Sequence, residues 1–230
     1  MAEWLQSSLF YGAFISILAY EIGLLVQKKF RLAILNPMLI AVFIVLAVNA
    51  VLGVDYDSYN SGAKYLSYFL TPVTVCLAVP LYEQLSLLKK NWKAVLSGLL
   101  AGVLSSMLSV WLLSLLFGLD HTMYVTLLPK SVTSAIGMDV SSELGGIASI
   151  TVPVIIFTGI VGNVLADFIF RLFRITHPIA RGLGLGAGAH AIGTVRAMQY
   201  GEAEGAMSSL AIAVSGVITA VAASFFANLL

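Results

Sequence analysis

Two stretches, residues 94–117 and 205–230, are long, apolar and without a single charged side chain. An α-helix of about 20 apolar residues crosses roughly 30 Å of hydrocarbon, so each is long enough to span a bilayer. Further apolar segments lie at 9–26, 32–54, 65–82 and 146–166. Between them the pattern is of a different kind. Residues 71–82, 123–145 and 182–197 are apolar on average but interrupted by proline, glycine and isolated hydroxyl, imidazole or amine groups. Interrupted backbone at membrane depth is tolerated only where protein or a water-filled cavity covers it, and such segments often build the binding sites of carriers. The pattern predicts an all-α integral membrane protein of about six to eight membrane segments, some broken or re-entrant, forming one domain over 1–230.

Composition strengthens this expectation. Hydrophobic residues make up 60% of the 230 and charged residues 10%, with mean hydropathy +0.99, which excludes an ordinary water-facing surface. The net charge of +1 leaves no basic footprint for nucleic acid. The one cysteine, Cys76, has no partner for an internal disulfide and no neighbours at metal-ligand spacing, so neither a metal nor a cofactor is expected. Residues 9–26 lack a preceding basic cluster and a small-residue cleavage site, and so read as a membrane helix and not as a removable signal.

The cations set an orientation. Nine of the twelve Lys and Arg residues fall in three groups: Lys28, Lys29 and Arg31; Lys89, Lys90 and Lys93; Arg171, Arg174 and Arg181. Short basic loops are retained on the cytoplasmic side, so all three groups are expected there. Two crossings, 32–54 and 65–82, connect the first group to the second through an acidic, turn-rich loop at 53–62. Three apolar segments separate the second from the third, one too many, and the parity is restored if 123–145 enters from the outer face and returns without spanning. With that assignment 32–117 forms a first repeat, and 123–230 a re-entrant segment followed by a second repeat of opposite direction. A simple recurrence of apolar helices is the alternative.

Candidate chemistry lies in the interrupted segments. Lys130, with Ser131, Thr133 and Ser134, forms the densest polar cluster, and a lysine at bilayer depth costs roughly 2.5–3.5 kcal/mol, so it needs a partner, a cavity or a route to the interface. An ammonium beside hydroxyl donors suits a small carboxylate; a snorkelling lysine over backbone-satisfying hydroxyls is the other reading. His190 and Thr194, four residues apart, share a helical face among Gly186, Gly188 and Gly193, which permit unwinding or close packing. The histidine is a candidate ligand or proton carrier, or else a neutral residue of helix packing. Pro72 and Pro80 remove backbone donors in 71–82, where Thr71 and Thr74 either cap the freed carbonyls or help to bind a solute. Asp167 stands four residues before Arg171, an ion-pair spacing that reads as structural, and Glu21 reads likewise. No nucleophile–base pair stands at motif spacing, so an enzyme is not expected.

At Asn36-Pro37, Tyr56-Asp57-Ser58-Tyr59, residues 71–84, Leu128-Pro129-Lys130-Ser131-Val132-Thr133, Gly145-Gly146, 181–186, His190 to Thr194 and 204–210 the chain resembles the LrgB/CidB family of bacterial inner-membrane proteins. Relatives of that family include the C-terminal half of the plastid glycolate/glycerate translocator. Ser134-Ala135 departs from the threonine and proline usual in the family after Lys-Ser-Val-Thr, so the local bend and the substrate fit are expected to differ. The resemblance implies a multi-pass protein of the bacterial inner membrane working with a small LrgA/CidA-type membrane partner. It carries two functional expectations: a carrier of pyruvate-, glycolate- or glycerate-like monocarboxylates, or an antiholin-like modulator of murein hydrolase activity and lysis. The lysine–hydroxyl cluster favours a small organic anion. Small-residue faces such as Gly98 and Gly102 also suit partner helices or a homo-oligomer.

Overall fold

A computed structural model describes residues 8–30, 35, 37–69, 72, 75, 76, 78–83 and 85–230. These residues are helical with no strand among them, and they divide into two compact units, 1–76 and 77–230.

The first unit contains α1 (Tyr11–Phe30), α2 (Pro37–Leu52) and α3 (Tyr56–Ser67). Tyr11, Ile15 and Val54 form its buried cluster. The Tyr11 hydroxyl donates to Asn49 Oδ1 at 2.7 Å, and the Ser16 and Tyr59 hydroxyls lie 2.7 Å apart. The polar stretch expected to be a turn-rich loop is instead largely helix. Asp55 caps α3 by accepting from Ser58 N at 3.1 Å and Ser58 Oγ at 2.6 Å, and these bonds hold its carboxyl below the ordinary range. Gly62 then lies against the backbone of Leu9 and Gly12, an approach that leaves no room for a side chain.

The second unit contains α4 (Ala78–Glu83), α5 (Leu85–Phe117), α6 (His121–Leu127), α7 (Ser134–Glu143), α8 (Ala148–Leu172), α9 (Pro178–Tyr200) and α10 (Glu202–Phe226), closed by a 3-10 turn at Ala227–Leu229. Lys89–Phe117, Ala148–Leu172 and Glu202–Leu229 are each long and apolar enough to cross a membrane. Their outward residues are large and greasy: Leu96, Leu100, Leu104, Leu108 and Leu112 repeat every four residues along α5 and all remain exposed. A row of that kind needs lipid or protein against it.

Residues 123–145 are not one helix. α6 has 7 residues and α7 has 10, spans of about 10 and 15 Å, well short of the roughly 30 Å hydrocarbon layer. They fold back on each other. Thr126 Oγ1 in α6 accepts from Ile147 N at 2.8 Å, just past α7, and Thr151 Oγ1 donates to Thr126 O at 3.0 Å. The segment therefore begins and ends at the same end of the unit, with residues 128–133 at its tip. Asp120 caps α6 through Met123 N, and Thr133 caps α7 through Ile136 N. Trp111, Tyr124 and Leu229 assemble at that end, where Tyr124 donates to Phe226 O at 2.7 Å.

α9 reverses as well. His190 has φ 40° and ψ −132°, a conformation that favours glycine, and it splits the element into arms 178–189 and 191–200. Gly193 packs on Leu185 and Ala189, while the Arg181 guanidinium lies 5.7 Å from the Tyr200 ring, so the arms are antiparallel. The first arm runs parallel to α10, with Gly182 against Glu204 and Met207 and Gly186 against Ser208 and Ala211.

The two hairpin tips approach α8 from opposite ends. Gly137, in the first hairpin, packs on the Ile155 side chain, and His190 Nε2 donates to Ile155 O at 2.9 Å. The expected pairing of Asp167 with Arg171 is replaced by bonds from Arg196 and Tyr200. The return of the second arm alongside α8 brings those groups closer than a neighbour on the same helix.

Candidate functional site

A groove of about 760 Å³ runs between α5 and the first arm of α9, a volume typical of small-molecule sites. Its floor is made of minimal side chains, among them Ala94, Gly98, Gly102, Gly184 and Gly188. Gly98 and Gly102 keep their distance from Leu183 and Ala187, so an added Cβ would meet only ordinary van der Waals contact. Helices that nearly touch elsewhere stand apart here. At one end lie Asn91 and His177, next to the basic group Lys89, Lys90 and Lys93; at the other lie Lys130 and Ser131.

Lys130 reaches the groove from the tip of the first hairpin. Its Nζ donates to Ser106 Oγ and to Ser131 Oγ, each at 3.1 Å, and the two hydroxyls are 3.0 Å apart. Ser106 is eleven residues from the Phe117 end of α5 and seventeen from Lys89, about 16 and 25 Å along the helix axis, so the ammonium sits deep within the unit. Beyond it the path is filled by Met107, Val110, Tyr124 and Leu128, all buried. Among the described residues the one ion pair within 4 Å joins Arg196 to Asp167. Lys130 thus has hydroxyl partners and no carboxylate, and one of its three N–H donors is free. The arrangement can receive a single carboxylate from the groove.

The predicted site residues separate into distinct places. Lys130 and Ser131 line the groove together. Thr133 serves as the cap of α7 and Ser134 is its first residue; neither lines the groove. His190 and Thr194 are buried away from it. His190 bonds to Ile155 O, while Thr194 donates to His190 O at 3.1 Å and meets the Ser208 hydroxyl at 2.8 Å. Both side chains therefore bind helices to one another. The break in α9 falls at His190, with Gly186 and Gly193 in close helix contact and Gly188 facing the groove. Pro80 lies inside α4 and Pro72 is exposed, whereas Thr71 and Thr74 lie outside the described residues.

Ser106 and Ser109 are the groove residues that motif reading passed over. The signal was present as a helical face: Gly98, Gly102, Ser105, Ser106 and Ser109 recur at three- and four-residue spacing, with Gly98, Gly102 and Ser106 opposite the leucine row and Ser105 and Ser109 at its flank.

A model of the LrgB-like family matches residues 16–229 of the chain. Proteins named antiholin-like protein LrgB from Bacillus mycoides (strain KBAB4), Bacillus cereus (strain B4264) and Bacillus anthracis (strain CDC 684 / NRRL 3495) are 35% identical over 218 residues, covering 94% of this chain and 95% of theirs. No solved structure matches.

Proposed function

The chain belongs to the LrgB-like family, and we propose that within it this protein is a membrane carrier of small organic monocarboxylates. The observation that carries the reading is the unpaired Lys130 ammonium at the inner end of a groove lined by small residues. Burying a charge with hydroxyls alone is costly. A bound carboxylate offsets that cost and leaves when the site opens, which a permanent counterion would not do. The basic residues at the opposite mouth attract anions toward the groove.

In this reading the three long helices of the second unit span the bacterial inner membrane. The two hairpins are re-entrant from opposite faces, as in transporters built on inverted repeats. The pairing of serines with Lys130 is a binding arrangement and not a catalytic one, since both hydroxyls are engaged with the ammonium. A small LrgA/CidA-type protein is the proposed partner.

Orientation is tested by single cysteines in a Cys76→Ser background. Positions 29, 90 and 174 label from the cytoplasmic side, and 57 and 120 from outside. Labelling of position 174 from outside would overturn the assignment of the first hairpin as re-entrant.

Function is tested by uptake of labelled pyruvate, glycolate and glycerate into proteoliposomes, with and without the small partner. Uptake is expected for at least one of these acids. The names of the relatives favour a second reading, an antiholin-like modulator of lysis. That reading takes precedence if folded protein moves none of the anions under any imposed ion gradient.

A further inference from the structure

Resting on the carrier reading, we propose that Ser105 and Ser109 of α5 are specificity-determining residues that accept a hydrogen bond from a substrate 2-hydroxyl, selecting 2-hydroxy acids over 2-oxo acids. Ser106 and Ser131 share one hydrogen between their oxygens, and each also accepts from Lys130. That leaves one O–H of the serine pair and one N–H of Lys130 for a ligand. Two donors match the two oxygens of one carboxylate.

Ser105 and Ser109 line the same groove within one turn of Ser106. Their hydrogens are already placed: Ser105 Oγ donates to Gly102 O at 3.0 Å, and Ser109 Oγ to Ser106 O at 2.6 Å. While those bonds hold, each turns oxygen lone pairs toward a ligand, and donating to a ketone would cost the bond to the helix carbonyl. A hydroxyl on the carbon next to the carboxylate has a hydrogen to donate to them. A ketone oxygen at that carbon has none, and it sets lone pairs against lone pairs, leaving polar groups unpaired. Among the described residues the charged or titratable groups lining the groove are Lys130, whose remaining N–H is taken by the carboxylate in this arrangement, and His177 at the other end beside Asn91, so no further cation is left to favour the ketone.

The test compares three acids of equal chain length, lactate, pyruvate and propionate, for binding to the full-length protein by calorimetry. Lactate is expected to bind about five- to tenfold more tightly than either of the others, the fold-change that one net hydrogen bond provides. In the Ser105→Ala/Ser109→Ala protein the preference should fall to near unity while propionate binding is kept, because the carboxylate contacts are intact. Circular dichroism verifies folding of the variant. Pyruvate binding equal to or tighter than lactate, or a lactate preference that survives the double substitution, overturns the proposal with the carrier reading standing. If none of the three acids binds folded wild-type protein while glycolate or glycerate is taken up by proteoliposomes, this proposal fails and the carrier reading stands; if uptake is absent as well, both fail.

Discussion

Replacing Lys130 with methionine is expected to lower monocarboxylate affinity ten- to a hundredfold while the protein still folds. A charge-assisted hydrogen bond contributes about 1.5–3 kcal/mol, and each 1.4 kcal/mol is a factor of ten in the dissociation constant. Methionine keeps the length and the apolar stem, so the substitution removes the charge and little volume. It leaves the Ser106–Ser131 hydrogen bond in place, since that 3.0 Å contact does not involve the amine. Folding survives because no carboxylate among the described residues pairs with Lys130 and would be left stranded. Loss of the ammonium even relieves a desolvation cost. The measurement pairs a thermal unfolding midpoint with a binding isotherm. Unchanged affinity in the folded variant would remove Lys130 from the site.

Gly186→Val is expected to have the opposite signature, a large loss of stability from a residue outside the groove lining. A Cβ at Gly186 collides with the Ser208 carbonyl oxygen and lies 2.6 Å from the Ala211 Cβ. Neither atom belongs to a flexible side chain, so the first arm of α9 must move away from α10. Overpacking of this kind typically costs about 1–3 kcal/mol, and valine places two further methyls in the same contact. Gly188, two residues on, is the internal control. Nothing lies within 4 Å of its added Cβ, and alanine there gains about 0.5–1 kcal/mol in helix propensity. Thermal unfolding of Gly186→Val and Gly188→Ala in one detergent decides the matter. Equal midpoints would show that the arm does not pack on α10 as described.

The difference between those glycines marks a wider boundary. Gly186, Gly188 and Gly193 are alike in sequence, and each permits unwinding or close approach. Only the tertiary arrangement assigns Gly186 to α10, Gly193 to the partner arm and Gly188 to the groove, while the backbone reversal falls on His190, which no glycine preference indicated. A histidine at φ 40° carries a conformational cost of about 1–3 kcal/mol, which its bond to Ile155 O helps to offset. That bond joins residues 35 apart. Local patterning carries no trace of such a partner.

What the sequence determined by itself is what one-dimensional physics controls. Charge-free runs of bilayer length specify the long helices at 94–117 and 205–230, because hydrocarbon penalises charge and unsatisfied backbone alike. Proline, glycine and hydroxyl residues at 123–145 marked that segment as interrupted, and Lys130 stood out because amines are rare in such surroundings. The family was legible in its motifs for the same reason, since those strings lie where the apolar pattern breaks. The tertiary structure decided which polar groups share a place. It brought Ser106 to Lys130 across 24 residues of sequence and withdrew His190 and Thr194 into helix packing. It also took Asp167 from its helical neighbour Arg171 and gave it to Arg196. Helical periodicity names the face on which a side chain lies, but the chain reversals at 128–133 and 190 choose what that face meets.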